Sequence, residues 1–173
     1  MHYMMHGMLY KCYALNIENL MDYFKTTNGV LINDINSYIN SYLKLHTDST
    51  IYIGTDCKRK KDKYIYATTI CLDTNGNGVH YVYRKKYVDV NDVHDIFSKL
   101  WREVELSVET SYELSNIDKT KITIDLDYNK LRNKKSNIVY DSAIGLVAGL
   151  GLRYRTKPNA WAASCAADYI SRK

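Results

Sequence analysis

Apolar residues recur along this chain with two different periods, and the switches between them predict its elements. Asn16–Phe24 and Ile32–Leu45 read as helices. In the second, Ile32, Ile35, Ile39, Tyr42 and Leu43 form one stripe, and Asn33 or Asp34 suits its cap. Asn28-Gly29 marks a turn between them. Three runs rich in β-branched and aromatic residues follow: Thr50–Asp56, Tyr64–Leu72 and Val79–Val88. A basic loop, Lys58–Lys63, separates the first two, and the sequence DTNGNG over 73–78 predicts a hairpin between the second and third. Asn91–Leu114 returns to the helical period, with Ile96, Phe97, Leu100, Trp101, Val104, Val108 and Tyr112 on one face. A fourth strand, Ile122–Asp127, precedes a small-residue helix, Asn137–Leu150, that ends among glycines. Leu152–Thr156 is a fifth strand, and Pro158 opens a last helix over Asn159–Ser171.

The order β-β-β-α-β-α-β-α predicts an α/β fold: a mixed five-stranded sheet with helices on both faces and an N-terminal helical extension. The extension covers residues 1–26 and the domain residues 27–173. Its Met-rich and Tyr-rich start suits a docking arm and equally a disordered segment. Right-handed crossovers set the fourth strand beside the first and parallel to it.

That pairing brings acids together. The first strand ends in Asp56 and the fourth in Asp125-Leu126-Asp127. Alternation puts Asp125 and Asp127 on one face and Ile122, Ile124 and Leu126 on the other. The carboxyl ends of central strands are where open α/β sheets build sites. Gathered carboxylates repel unless a cation neutralises them, and hard oxygen donors select Mg2+ or Mn2+. Each aspartate also suits a simple strand or turn cap. The long helix offers Glu103, Glu105 and Glu109, of which Glu103 flanks the apolar stripe most closely. The last helix offers Asp168, on one face with Trp161 and Ser164, and an acid near a helix C-terminus opposes the dipole.

Composition enters here. The 173 residues are 46% hydrophobic and 25% charged, which suits one globular domain and excludes a disordered chain. The longest apolar runs are broken by glycines and fall short of a bilayer span, so no membrane partner is expected. Cys12, Cys57, Cys71 and Cys165 are widely spaced and read as reduced thiols, hence a cytoplasmic location, in a host cell if the source is viral. Tyrosine is abundant, at 17 residues against 2 phenylalanines. That excess fits AT-rich coding, and equally stacking platforms for bases. The net charge of +5 is unevenly spread. Lys58–Lys63 carries +4, Arg84–Lys86 +3 and Lys130–Lys135 +4, so the remainder is net acidic. All three basic stretches fall at the sheet edge that carries Asp56 and Asp127. A basic rim around an acidic centre suits a phosphate backbone.

Four stretches resemble a known family: Ile53-Gly54-Thr55-Asp56-Cys57, Leu126-Asp127-Tyr128-Asn129, Lys135-Ser136-Asn137 and Lys157-Pro158-Asn159-Ala160-Trp161-Ala162-Ala163-Ser164. They resemble the YkuK family of ribonuclease H-like proteins, from about Thr27 to Ile170. Cys57 departs from the family's usual serine, and Asp125 stands where histidine is usual. The resemblance implies a ribonuclease H-like fold, Asp127 as the matching acid with Asp125 as an extra carboxylate, and Glu103 as the helix acid.

The expectation is a nuclease using Mg2+ or Mn2+ in a two-metal mechanism on RNA, DNA or a hybrid. Its catalytic residues would be Asp56, Glu103, Asp127 and Asp168. Asp56, Asp127, Asp168 and Asp125 would bind metal. Lys58, Arg59, Lys60, Lys130, Arg132 and Lys157 would contact nucleic acid. Ser164 and Trp161 pack the last helix in this reading, and His80 and His94 are structural. His2 and His6 offer adventitious metal ligands. The alternatives are a non-catalytic nucleic-acid-binding or assembly protein on the same fold, and a metal-binding structural subunit.

Overall fold

The computed structural model describes residues 23–75 and 78–173. The body of the N-terminal extension lies outside them, and with it His2, His6, Cys12, the docking arm and most of the expected Asn16–Phe24 helix. Where that helix should end, Phe24–Thr26 is instead a strand, β1. It pairs with β2, Leu31–Ile32, across the Asn28-Gly29 turn. The second helix therefore starts later than expected, as α1, Ile35–Leu45. Asp34 is its cap and accepts from the Ser37 N–H at 3.1 Å.

β3 (Thr50–Lys60), β4 (Lys63–Asp73) and β5 (Val79–Asp89) are each 11 residues long. Lys58, Arg59 and Lys60 thus belong to a strand and not to the expected loop, which shrinks to Lys61-Asp62. Lys61 takes the left-handed conformation at φ 57° that so tight a turn demands. The β4–β5 hairpin forms as expected, Asp73 opposite Val79. Then come α2 (Ile96–Glu113), β6 (Ile122–Leu126), a 3-10 turn at Lys135–Val139, α3 (Tyr140–Gly149) and β7 (Arg153–Thr156). Pro158 does not open the last helix but lies in a turn, its bond to Lys157 cis. The chain becomes helical at Trp161, widens to a π-helix over Ala162–Ala167 and closes as α4, Asp168–Arg172.

The sheet among the described residues has seven strands, not five, in the order β2-β1-β5-β4-β3-β6-β7. The five expected strands are its last five; β1 and β2 extend the β5 edge. They were too short, at three and two residues, to show a period of two. The parallel pairing of β3 with β6 is as expected, Ile53 opposite Ile124 and Gly54 opposite Asp125.

Side-chain alternation sends β3 to two different cores. Ile51 and Ile53, with Ile122 and Ile124 of β6, face one side and join Ile39 of α1, Val104 of α2 and Val147 of α3. All seven are fully buried, each contributing roughly 1.5–3 kcal/mol relative to exposure. The opposite side takes the C-terminal helical segment: Tyr52 meets the Trp161 ring edge-on, and Gly54 lies against Ala163. Helices therefore cover both faces. No helix of the described residues is long and apolar enough to cross a membrane.

Candidate active site

β3, α2 and the loops after β6 and β7 build a cleft of acids and lysines beside the carboxyl end of β6. It has a volume of about 460 Å³, and Asp56, Glu103, Asp127, Asn129 and several lysines line it. The β3–β6 register sets Asp56, inside β3, beside Asp127, just past the end of β6, on the face of the C-terminal helical segment. Ser171, itself buried, donates to Asp56 Oδ2 at 2.8 Å. Ser164 donates to Asp127 Oδ1, and Lys157 Nζ lies 3.0 Å from its Oδ2. Lys157 and Ser164 are the two ends of the motif read from sequence, so that motif clamps the second acid.

Glu103 arrives from the other face of the sheet. Thr55 of β3 bonds Ser107 of α2 at 2.8 Å and Thr68 of β4 at 3.0 Å, a buried polar chain that fixes the helix beside Asp56. One turn back, Glu103 is 4% exposed. Tyr128 donates to the Leu100 carbonyl at 2.6 Å and stands 3.4 Å from Glu103 Oε2. Lys99 Nζ is 3.2 Å from Glu103 Oε1.

Burial pushes the Glu103 carboxyl up to about 8; Lys99 opposes the rise, and the charges of Asp56 and Asp127 add to it. Burial also raises Asp56, against the pull of Ser171 and Lys58. Glu103 thus keeps a proton when folded that it loses when unfolded, between about pH 4.5 and 8. Stability falls with rising pH across that window. From pH 5 to 7 the unfolding free energy of the wild type is expected to drop by roughly 2 kcal/mol from this group alone. Glu103→Gln should flatten that slope in urea unfolding curves; an unchanged slope would contradict the buried, proton-holding glutamate.

The other expected acids do different work. Asp125 is wholly buried, and Arg155 grips it twice, at 2.8 and 2.7 Å. Its Oδ2 also accepts the Ala162 N–H at 2.8 Å. Burial raises its pKa, with Arg155 and the Ala162 N–H acting against that rise. Arg155 in turn stacks over Tyr52, 3.6 Å from the ring centroid. With both oxygens engaged, Asp125 ties β6, β7 and the C-terminal helical segment together. Asp125→Ala is expected to cost about 3 kcal/mol of stability, because it strips Arg155 and the Ala162 N–H of their partner. A melting temperature within a degree of wild type would refute that role.

Asp168 stands outside the cleft lining, 3.1 Å from Lys58 and 2.7 Å from Arg172. Burial pushes its carboxyl up, but Arg172 and Lys58 outweigh this and hold it below the usual range. The π-helix shifts the expected face, and Asp168 stands where the π-helix gives way to the last α-helical turn. Of the expected phosphate contacts, Lys58 and Lys157 line the cleft. Arg59, Lys60, Lys130 and Arg132 are exposed and lie outside it.

Sequence reasoning passed over Lys99, and it placed Lys134 and Lys135 in a basic stretch and Asn129 in a motif without naming them as contacts; all four line the cleft. Lys99 carried a signal, since it precedes Glu103 by four residues. The Lys135-Ser136-Asn137 motif closes the loop after β6: Ser136 Oγ accepts the Asn129 N–H at 3.1 Å, and Asn137 donates to the Lys130 carbonyl at 2.9 Å. Cys57, at the expected serine, is buried, which pushes its thiol up to about 12 and leaves it inert. His80 bonds Tyr38 at 2.9 Å and stacks on Tyr42, a structural role, and His94 is exposed away from the cleft.

Among the described residues no three or more His, Cys, Asp or Glu side chains are grouped, as placed, to hold a metal ion. Glu103 and Asp127 each have a lysine ammonium against them, and Asp168 has Lys58.

No curated protein and no solved structure matches the chain. A family model described as ribonuclease H-like matches residues 30–172, from just ahead of β2 to the end of the last helix. The match takes in both acidic strands, the helix of Glu103 and the clamp on Asp127, and the chain belongs to the ribonuclease H-like family.

Proposed function

We propose that the protein is a metal-dependent nuclease that hydrolyses phosphodiester bonds at the Asp56–Glu103–Asp127 cleft. The observation that carries this reading is the convergence of three carboxyl groups, one wholly buried, inside a ring of Lys58, Lys99, Lys134, Lys135 and Lys157. The donor set is all oxygen and under mutual repulsion, which fits Mg2+ or Mn2+. Asp56 and Asp127 would hold the ion, with Glu103 facing both. Such an ion supplies neutralisation of the phosphodiester charge and activation of water.

The chain's own residues do the rest. Ser171 and Ser164 fix the two aspartates, so their carboxyl groups meet the ion without reorganising. Lys157 and Lys99, which pair with Asp127 and Glu103, would be free to contact phosphate oxygens if those acids held an ion. Glu103 keeps a proton near neutrality, held there by its burial. Asp125 and Asp168 stay outside the chemistry in this reading, the first as a structural tie and the second as the anchor of Lys58.

The pairing of acids with lysines favours a second reading, nucleic-acid binding without turnover. Labelled single-stranded, duplex and hybrid substrates, incubated with Mg2+, Mn2+ or a chelator, separate the two. The nuclease reading expects cleavage that a chelator stops. Salt-sensitive binding with no cleavage under either metal would replace it with the second.

A further inference from the structure

A second face of the molecule pairs aromatic rings with unneutralised charge. In the register, Asp56 stands opposite Ala67 and Ala67 opposite Lys85, while Gly54, Thr69 and Tyr83 form a parallel row. Tyr81, Tyr83, Lys85 and Tyr87 therefore project on the side that carries Asp56 and the C-terminal helix. Lys25 of β1 lies opposite Tyr83 and continues the row. A groove of about 250 Å³ is lined by Tyr23, Lys25, Tyr83, Lys85 and Tyr87. Tyr23 is 41% and Tyr87 40% exposed, so their rings are open to a ligand. From α4, Lys173 Nζ sits 4.3 Å from the centre of the exposed Tyr169 ring, and both act on the Tyr81 hydroxyl.

The charged residues that line the groove, Lys25 and Lys85, are both basic. Burial, then the charges of Lys60, Lys173 and Lys25, depress the pKa of Lys85. Among the described residues Lys25, Lys60 and Lys85 make no ion pair. Like charges crowded without acids are a standing cost unless a polyanion neutralises them.

We propose that this face binds single-stranded nucleic acid, with bases stacked on Tyr23, Tyr83 and Tyr87 and phosphates held by Lys25, Lys60 and Lys85. Alternation supplies the pattern, because from Tyr81 to Tyr87 every second residue of β5 presents a ring or an ammonium on one face. Aromatic platforms in a basic groove bind unpaired strands with little regard to sequence. A duplex keeps its base faces inside its own stack and offers none to a flat sheet. An acidic protein surface would neutralise the lysines but would leave the rings without stacking partners. Lys85 lies two strands from Asp56 on one register line, about 10 Å away. A strand lying on the face is thereby led to the acidic cleft. That last step rests on the nuclease reading; the binding face does not.

Fluorescence anisotropy of the full chain with labelled oligo-dT, oligo-U and a blunt duplex, in chelator and at several salt concentrations, tests it. Tighter binding of the single strands than of the duplex is expected. Tyr83→Ala and Tyr87→Ala should each weaken single-strand binding roughly tenfold, and Tyr87→Phe, which keeps the ring, should bind as wild type. The Lys25→Gln/Lys85→Gln pair should flatten the log–log salt slope by about 1.4. Wild-type affinity in Tyr87→Ala and in the lysine pair, with normal melting temperatures, would overturn the proposal, as would a preference for duplex. The assay contains no metal and reads no cleavage, so its failure leaves the cleft's chemistry standing.

Discussion

Asp127→Asn is expected to lower metal-dependent cleavage by roughly a thousandfold or more while the protein stays folded. The substitution keeps the size and polarity of the side chain, so Ser164 retains a carbonyl oxygen to bond. It removes the negative charge from one of the two acids that would hold the cation. Several kcal/mol of transition-state stabilisation depend on that charge, and each 1.36 kcal/mol is tenfold in rate. Lys157, 3.0 Å away, loses its partner and becomes more available to phosphate. Single-strand binding in chelator should therefore hold or rise as cleavage falls. Cleavage that survives at a tenth of wild type would remove Asp127 from the proposed chemistry.

Among the described glycines, Gly54→Ala should be the most damaging change. A Cβ at Gly54 would lie 2.5 Å from the Ala163 nitrogen and 2.8 Å from its Cα. Both are backbone atoms of the π-helix, which no side-chain rotation can move aside. The C-terminal segment must back away from the sheet, at a cost of about 3 kcal/mol. The same retreat strains the Ala162 bond to Asp125 and the Ser171 bond to Asp56, so cleavage should fall with stability. Gly145 of α3 is the control: a Cβ there meets nothing within 4 Å, and Gly145→Ala should stabilise by up to about 1 kcal/mol. Equal melting temperatures for the two variants would show that the close approach at Gly54 does not hold the site together.

Much of this site was legible before the fold. Period-two alternation in Ile122–Asp127 sorted acids from core residues, and the crossover rule set that strand beside β3. Together they carried Asp56 and Asp127 to one edge. Glu103 was legible as the acid flanking the apolar stripe of α2. What stayed hidden depended on contacts remote in sequence. Asp125 and Asp127 look alike in a strand; only Arg155 on β7 and the Ala162 N–H separate the tie from the cleft acid. The π-helix could not be read from the run Ala162–Ala167, since its composition suits an α-helix equally well, and with it went the facing of Asp168. The basic run after Asp56 read as a loop because lysine is a poor strand former. Cross-strand pairing with β4 carries it as strand to Lys60. The tyrosine excess, ambiguous as composition, gains meaning once Tyr81, Tyr83 and Tyr87 share one open face with Lys85.

The central claim is that Asp56 and Asp127 hold a divalent cation. The most direct test is anomalous scattering from crystals of the full chain soaked in Mn2+. An anomalous peak between the two carboxyl groups, with Lys157 turned away from Asp127, is the predicted result. No peak there at saturating Mn2+, with Lys99 and Lys157 still seated on Glu103 and Asp127, would contradict it.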